Sequence, residues 1–285
     1  MTEQEQIQSY FETEPIPEHI RERMEECRRK HMTVPSERLI KRPSQIEGIR
    51  ESSKINTGVL DEVAAKIHEG MSTQEIDDIV VEYTHSHGAI CAPYHFEGYP
   101  KSVCTSINDE VCHGIPARHR KLRDGDIINV DVSTIYKGYY SDASRMFMIG
   151  EVSEERRRLV EETKKCLDIG AAAAKPWGTV GDIGYAISKY AHSKGYSVVR
   201  ELGGHGVGIE FHEDPFVSHV GKAHTGMVLV PGMIFTIEPM INAGRAGVTI
   251  DPYNEWTIYT EDGKDSAQWE HTFLMTENGV EILTY

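Results

Sequence analysis

The strongest constraint on the fold of this sequence is a plan that its two halves share. In each half, two amphipathic segments separated by a break that contains glycine lead into several short β-rich segments. Such a repeat predicts a duplicated α+β unit, in which the helices pack on one face of a curved, mostly antiparallel sheet. The opposite face of that sheet is then free to form a site where the two halves meet.

Helix-capping signatures indicate where the amphipathic segments begin. Ser44 and Ser72 each precede a glutamate by three positions, which is typical of a capping box. In the second half, Ser153 begins one segment, and Thr179 with Asp182 begins the next. The β-rich segments comprise residues 111, 127–132 and 140–147 in the first half, and residues 197–199, 233–237 and 269–275 in the second. This pattern predicts an architecture but no chemistry.

Residues 1–43 differ from the rest of the chain and are predicted to form an N-terminal extension of a catalytic domain at residues 44–285. They are dense in charge, carry several prolines and contain one short helical candidate at residues 19–31. The first residues are acidic, with neither the basic start nor the apolar stretch of a secretory signal. A cytoplasmic location is therefore expected.

Charge and composition argue against several kinds of partner. A net charge of −15 disfavours direct contact with a nucleic-acid backbone, which requires a concentrated basic surface. The longest apolar runs, such as residues 227–235, are much shorter than a membrane span. Five cysteines without a C-x-x-C pair disfavour both a disulfide framework and a zinc knuckle. Reduced thiols and no binding to nucleic acid or membrane are therefore expected. A monomer is expected as well, although the sequence does not determine the oligomeric state.

Two aspartates lie on the strands of a predicted hairpin. Asp131 falls in the apolar run 125–132, where a buried carboxylate is costly unless it is paired or bound to a metal. Beyond a turn at residues 136–138, the next strand carries Asp142. If the turn is centred between Tyr136 and Lys137, the two aspartates lie opposite each other, about 4.5–5.5 Å apart at Cβ, and repel. A divalent cation would resolve the conflict; alternatively, each aspartate caps a loop or pairs with a basic group.

Three further groups extend this set. His205 lies in a glycine-rich bend, and Glu238 and Glu270 lie in apolar, strand-like runs. Taken singly, the histidine is compatible with a structural role and each glutamate with an isolated buried pair. Taken together, five groups form a donor set suited to two Mn(II), Fe(II), Co(II) or Zn(II) ions that share bridging carboxylates: Asp131, Asp142, His205, Glu238 and Glu270. The residues alone therefore favour a dimetal hydrolase.

Seven short motifs, in this order, resemble those of the type I methionine aminopeptidases. They are VCHGIP at 111–116, INVDV at 128–132, SDASRMF at 141–147, GGHGVG at 203–208, FHEDP at 211–215, FTIEPM at 235–240 and SAQWEHT at 266–272. Each motif is weak alone, but their order makes coincidence implausible. The similarity extends over residues 44–284 and implies the duplicated pita-bread fold of that family, with a pseudo-twofold axis.

The resemblance implies a role for each matching residue. The family's metal ligands are matched by Asp131 and Asp142 on the hairpin, by His205 and Glu238, and by Glu270 as the carboxylate that bridges both ions. The two substrate-contacting histidines of the family are matched by His113 and His212. Its methionine pocket is matched by Tyr94, Tyr99, Cys104, Phe211 and Trp256, for each of which ordinary core packing is the alternative.

The implied reaction is hydrolytic removal of the N-terminal methionine from peptides and nascent proteins. A hydroxide between the two ions attacks the peptide carbonyl, and Glu238 transfers its proton. His212 and one ion stabilise the oxyanion, while His113 hydrogen-bonds the scissile amide. The free α-amine binds the other ion, which limits cleavage to the first residue. A small second residue is preferred because the site is enclosed.

Other functions stay open on the sequence alone. Proline-directed peptidases of this fold carry a much larger N-terminal domain, and type II methionine aminopeptidases insert a helical subdomain where residues 216–234 lie here. A broader or proline-directed aminopeptidase would be recognised by a substrate panel. A pita-bread binding protein without catalysis would be recognised by metal analysis and peptide turnover. The physiological metal and any contact with the ribosome are not determined by the sequence.

Overall fold

The computed structural model describes residues 2–285. The helices are α1 (Glu3–Thr13), α2 (Glu18–Arg29), α3 (Pro43–Lys66), α4 (Thr73–Ser86), α5 (Glu154–Ala173) and α6 (Val180–Ser193). The strands are β1 (Ile90–Cys91), β2 (Cys104–Ile107), β3 (Glu110–Cys112), β4 (Ile127–Tyr136), β5 (Tyr139–Met148), β6 (Ser197–Val198), β7 (Gly203–Gly206), β8 (Glu213–Ser218), β9 (Ile234–Ile237), β10 (Met240–Asn242), β11 (Val248–Ile250), β12 (Ile258–Thr260), β13 (Ser266–Gln268), β14 (His271–Thr276) and β15 (Gly279–Ile282). Within residues 2–285, no helix has both the length and the hydropathy needed to span a bilayer.

The elements form two blocks, α3 to β5 and α5 to β15, and each block contributes one main antiparallel sheet. In the first sheet, β4 pairs with β1, β2 and β5. In the second, the strand order is β15-β14-β9-β7-β8. The two sheets meet at a bridge between Ser144 of β5 and Glu270, just before β14. The predicted duplicated α+β unit is therefore confirmed, and one predicted metal ligand lies at the junction of the sheets.

In each block, the pair of helices packs with the strands in a buried core. In the first block, Leu60 of α3 and Ile128 of β4 belong to one buried cluster. In the second block, Leu167 of α5 shares a cluster with Phe235 of β9 and Phe273 of β14. Full burial of each such side chain contributes about 1.5–3 kcal/mol to stability. The helical face of the sheets therefore forms the core and leaves the opposite face for chemistry.

Three of the four predicted helix starts are confirmed. Ser72 and Thr179 take part in capping boxes at the starts of α4 and α6. Ser153 caps α5, where its hydroxyl accepts a hydrogen bond from the backbone N–H of Arg156 (3.3 Å). These caps satisfy N–H groups that otherwise have no partner inside the helix.

The fourth predicted start, a capping box at Ser44, is wrong. Helix α3 begins one residue earlier, at Pro43, and the backbone N–H of Arg42 donates to the side-chain oxygen of Gln45 (2.8 Å). Proline suits the first helical position because the N–H that it lacks would have no partner there. The hydroxyl of Ser44 instead donates to the carboxylate of Glu14, which links α3 to the N-terminal extension.

The N-terminal extension packs on both blocks. Helix α2, predicted at residues 19–31, is observed at Glu18–Arg29 and buries Ile20 and Met24 in the core cluster of the second block. Helix α1, which the sequence pattern does not predict, packs on the turn between β4 and β5. A Cβ atom added to Gly138 in this turn would lie only 2.8 Å from the side chain of Ile7. The extension is therefore held by the same cores as the rest of the chain.

Candidate metal centre

The hairpin of β4 and β5 presents two aspartates on one face of the first sheet. Its turn is formed by Lys137 and Gly138, which both have positive φ (49° and 79°), as the common two-residue hairpin turn requires. Asp142 therefore pairs with Ser133 and not with Asp131. The predicted register is wrong by two residues because the turn is centred one position further along the chain. Since side chains alternate with period two, both carboxylates stay on the same face.

The other three predicted ligands come from the second block. His205 lies in β7, Glu238 directly follows β9 and Glu270 directly precedes β14. Close packing of the strands around β7 depends on glycine: a Cβ atom at Gly206 would lie 2.1 Å from the carbonyl oxygen of Asp214. The glycines beside His205 therefore allow the imidazole to be held close to neighbouring strands.

The structure brings all five predicted ligands together where the two sheets meet. The Nε2 atom of His205 lies 3.6 Å from Asp142 Oδ2 and 3.7 Å from Glu238 Oε1. Ligand atoms of Asp142, His205 and Glu270 all lie within 4.8 Å of one another. Asp131 lines the same cavity. This spacing allows a cation to lie between the ligand atoms.

Hydrogen bonds orient the side chains of the predicted ligands. His205 Nδ1 lies 2.9 Å from the carbonyl oxygen of Gly206, so Nδ1 carries the proton and Nε2 presents its lone pair. The hydroxyl of Thr236 donates to Glu238 Oε1 (2.8 Å), and the side-chain amide of Gln268 donates to Glu238 Oε2 (3.0 Å). Neither donor to the Glu238 carboxylate is predicted from the sequence, although both lie inside the seven motifs.

Burial raises the pKa of the carboxyl groups in this cluster. The pKa of Asp131 rises to about 7, and that of Glu238 rises to about 8 because the charge of Asp131 adds to the effect of burial. Burial and neighbouring carboxylates also raise the pKa values of Asp142 and Glu270. His205 brings no compensating charge, since burial lowers its pKa to about 3. Three buried acids and the half-buried Asp131 thus face one another without a positively charged partner in the set, so the donor set fits divalent cations.

These pKa values predict how the stability of the metal-free protein depends on pH. Its folded state holds protons on Asp131 and Glu238 that the unfolded chain releases above about pH 4. The stabilising contribution is present below that pH and is lost as the pH rises through about 7 and about 8. We expect the free energy of unfolding, measured with urea in the presence of a chelator, to lose this contribution as the pH rises. Added divalent metal should restore stability at high pH.

The variant Glu238→Gln is the matched control for this experiment. It removes one titrating carboxyl group while keeping the size of the side chain. Its metal-free form should lose less stability than the wild type over the same pH range. Identical pH dependence of the two proteins would show that Glu238 does not titrate as described.

The cluster opens into a cavity of 1290 Å³ that also holds both predicted substrate-contacting histidines, His113 and His212. The ring of His212 lies 4.3 Å from the ring of His205 and stacks on Phe211 at the same centroid distance of 4.3 Å. Burial lowers the pKa of His113 to about 4 and also lowers the pKa of His212. Both rings are therefore neutral near pH 7, and each can donate one N–H to a substrate.

Of the predicted pocket residues, the cavity wall includes Tyr99, Cys104, Phe211 and Trp256. The structure places Tyr94 elsewhere: it is 54% exposed, and its ring packs on His95. Phe96 lies in the wall instead, with its ring 4.8 Å from that of Phe211. Burial raises the pKa of Cys104 well above its usual value, so the thiol is an uncharged wall group and not a nucleophile.

Comparison with known proteins relates the chain to a family of peptidases. A sequence model of metallopeptidase family M24 matches residues 47–277. Methionine aminopeptidase A of Synechocystis sp. is 49% identical over 241 residues, which cover 84% of this chain and 94% of that protein. The methionine aminopeptidase of Escherichia coli is 44% identical over 246 residues, covering 86% and 93%. The crystal structure of methionine aminopeptidase from Rickettsia prowazekii matches with a TM-score of 0.84 and 39% identity, covering 89% of this chain and 100% of that chain.

Proposed function

The chain belongs to metallopeptidase family M24, and from this premise we propose that it is a methionine aminopeptidase, a hydrolase that removes the N-terminal methionine of peptides and nascent proteins. The resemblance indicated by the sequence motifs is confirmed by relatives that are 44% and 49% identical. The observation that carries the proposal is one cavity that combines metal-ligating side chains, two neutral histidines and an aromatic wall. Such a cavity can bind a methionine side chain beside a hydrolytic centre.

Divalent cations are the cofactor that supports this function. Five side chains that line the cavity would hold two such ions: Asp131, Asp142, His205, Glu238 and Glu270. When bound, such ions supply Lewis-acid activation of water and of the peptide carbonyl. The donor set suits Co(II), Mn(II), Fe(II) and Zn(II) alike. Reconstitution of the metal-free protein with each ion in turn would rank them by activity.

Three side chains are proposed to handle the proton and the developing charge. Glu238 takes a proton from the attacking water and returns it to the leaving amine. Burial raises the pKa of Glu238 and bound cations lower it again, which suits a group that accepts and releases a proton near neutral pH. The neutral ring of His212 donates an N–H to the carbonyl oxygen as it gains negative charge, and His113 hydrogen-bonds the amide that is cleaved.

The wall of the cavity is proposed to select methionine. The hydroxyl of Tyr99 donates to the carbonyl oxygens of Val103 (3.1 Å) and Gly114 (3.0 Å), and its ring lies edge-on to Trp256 at 5.1 Å. These contacts hold the ring in place. The uncharged thiol of Cys104 adds a soft, polarisable group. A narrow apolar slot of this kind fits an unbranched thioether side chain.

We expect rapid cleavage of Met-X-Ser peptides when X is Gly, Ala or Ser, and poor cleavage when X is Leu, Lys or Trp. The second side chain must fit between the cavity walls and the metal ligands, so a large one displaces the scissile bond, and small misplacements cost about 100-fold in rate. The measurement is kcat/KM from release of free methionine, determined for each peptide with metal in excess.

The alternatives are distinguished by matched peptides in the same assay. Leu-Ala-Ser replaces only the first residue, and equal kcat/KM values for it and Met-Ala-Ser would indicate a broader aminopeptidase. Preferred cleavage before proline would indicate a proline-directed peptidase. Absence of turnover by protein with its full metal content would indicate a pita-bread binding protein without catalysis.

We further propose that the protein acts in the cytoplasm as a monomer, with residues 1–43 as an extension of the catalytic domain at 44–285. Nascent chains present their N-terminal methionine there. The net charge of −15 disfavours contact with ribosomal RNA, so a contact with the ribosome would have to involve its proteins. Sedimentation velocity of the purified protein tests the monomeric state.

A further inference from the structure

The N-terminal extension contributes Phe11, Ser36 and Leu39 to the wall of the catalytic cavity. We propose that Lys41 positions the loop of residues 207–212, which carries His212, through a buried ion pair with Glu213. This inference rests on the proposed function, because it concerns the role given there to His212. Lys41 and Glu213 are then positioning residues, which act through the histidine.

The ion pair is buried well inside the protein. The Lys41 side chain is 1% exposed and the Glu213 side chain 8% exposed, and Nζ of the lysine donates directly to Oε2 of the glutamate. Burying two charges is costly, and apolar residues of similar volume often give the same stability or more. Stability alone therefore does not explain the pair. A fixed geometry between two segments is the property that an ion pair supplies and an apolar contact does not.

The second oxygen of Glu213 fixes the backbone of the loop. Its Oε1 accepts hydrogen bonds from the N–H groups of Ile209 (2.8 Å) and Glu210 (3.1 Å). One carboxylate therefore joins Lys41 on one side to the loop backbone on the other. Because this loop leads directly into His212, its conformation determines where the imidazole lies in the cavity.

Lys41 is a rigid anchor for this connection. Its backbone N–H donates to the carbonyl oxygen of Gly232 (2.8 Å), and α3 begins two residues later. The loop also packs tightly on this region. A Cβ atom at Gly208, where φ is +133°, would lie 2.5 Å from Ile49 Cδ1 and 3.5 Å from Lys41 Cε. Direct contacts with Ile49 of α3 and with Lys41 therefore help to fix where the loop lies.

Aromatic rings contact the ring of His212, although the residue as a whole is exposed. The ring stacks on Phe211 at 4.3 Å and lies 5.1 Å from the ring of Phe96. Contacts between aromatic rings tolerate a range of offsets, so they do not define the direction of the histidine N–H. That direction depends on the loop backbone, and hence on Glu213 and Lys41.

A double-mutant cycle tests the proposal. The variant Lys41→Met/Glu213→Gln removes both charges, so neither is left buried without its partner, and it keeps an amide oxygen for the loop N–H groups. We expect it to retain its metal content, KM and melting temperature but to lose about 10–100-fold in kcat on Met-Ala-Ser, as a misplaced catalytic group does. In a His212→Ala background, the same two substitutions should cause no further loss.

Controls separate positioning from general damage. Lys41→Arg keeps the positive charge, so its kcat should lie much closer to that of the wild type than to that of Lys41→Met/Glu213→Gln. Arg50→Met breaks a partly buried ion pair between α3 and β15, with Glu281, and should leave kcat unchanged. Hydrogen exchange followed by mass spectrometry gives a readout independent of turnover. The amides of Ile209 and Glu210 should exchange faster in the Lys41→Met/Glu213→Gln variant than in the wild type, because their oxygen acceptor remains but is no longer held by Lys41.

An equal loss of kcat with and without His212 would overturn the proposal, because it would show that the ion pair acts by another route. Unchanged exchange at Ile209 and Glu210 would overturn it as well. If the wild type fails to cleave Met-Ala-Ser, the proposed function is refuted. The exchange experiment then still decides whether the ion pair fixes the loop.

Discussion

Chelation should abolish turnover of Met-Ala-Ser, and Asp142→Asn should reduce kcat/KM by about 100-fold or more. Asp142 lies at the centre of the cluster, with Oδ2 3.6 Å from His205 Nε2. Loss of a residue that only supports a metal ligand typically costs about 10–100-fold in metal affinity or activity, so loss of a ligand's charge should cost at least as much. The measurements are kcat/KM and bound metal for wild type and variant.

Asp126→Asn is the matched control for this substitution. Asp126 is also buried and lies just before the same hairpin, but its oxygens accept hydrogen bonds from the N–H of Arg123 (2.9 Å) and the side chain of Asn108 (2.9 Å). Its replacement should leave kcat/KM and metal content close to those of the wild type. Undiminished turnover by protein that elemental analysis shows to be metal-free would refute the assignment of a metal centre.

The carboxylates of this centre were visible in the sequence because each lies in or beside an apolar strand, where an unpaired acid is costly. The register in which the strands of Asp131 and Asp142 pair could not be read from the sequence. Hairpin turns with two positive φ values are usually recognised by Asn-Gly or Asp-Gly, whereas this turn is Lys137-Gly138. The glycine alone is compatible with more than one turn position. A shift by two residues leaves the predicted face unchanged, so the two carboxylates were still expected on one side.

The hydrogen-bond partners of the predicted ligands could not be identified from the sequence. Thr236 and Gln268 both donate to Glu238, although Gln268 is 30 positions away along the chain. A polar side chain in an apolar run indicates that some partner exists, but the partner is defined only when distant strands are brought together. The backbone N–H of Glu238 also donates to the buried ring of His219 (3.1 Å), a histidine that lies in no quoted motif.

Two features outside the centre differ from the expectation for similar reasons. Helix α1 was missed because its buried face is small, with Ile7 as its buried residue, and its partner is a remote hairpin turn. Tyr94 was expected in the pocket from the resemblance, whereas Phe96 of the same irregular segment lines the cavity and Tyr94 is 54% exposed. Such a segment has no periodicity from which the buried side chain could be read. The structure distinguishes them by the contact of Phe96 with Phe211.

His212→Ala should lower kcat by about 100–1000-fold while leaving metal content nearly intact, which corresponds to about 2.7–4 kcal/mol of lost transition-state stabilisation. The ring of His212 lies 4.3 Å from that of His205, so both imidazoles share one cavity. His205 is the one whose Nε2 faces the carboxylates, at 3.6 Å from Asp142. A donor aimed at the developing oxyanion acts most strongly in the transition state, so KM should change much less than kcat.

The response to added metal separates this role from that of a ligand. Loss of a ligand weakens metal binding, so excess metal restores part of the rate, whereas loss of an oxyanion donor is not corrected by metal. The variant is therefore assayed on Met-Ala-Ser across a range of metal concentrations. His224→Ala is the control. The side chain of His224 is 91% exposed, so its loss should change neither kcat nor metal content. A wild-type kcat for His212→Ala, or a rate defect cured by metal, would remove His212 from the catalytic role proposed for it.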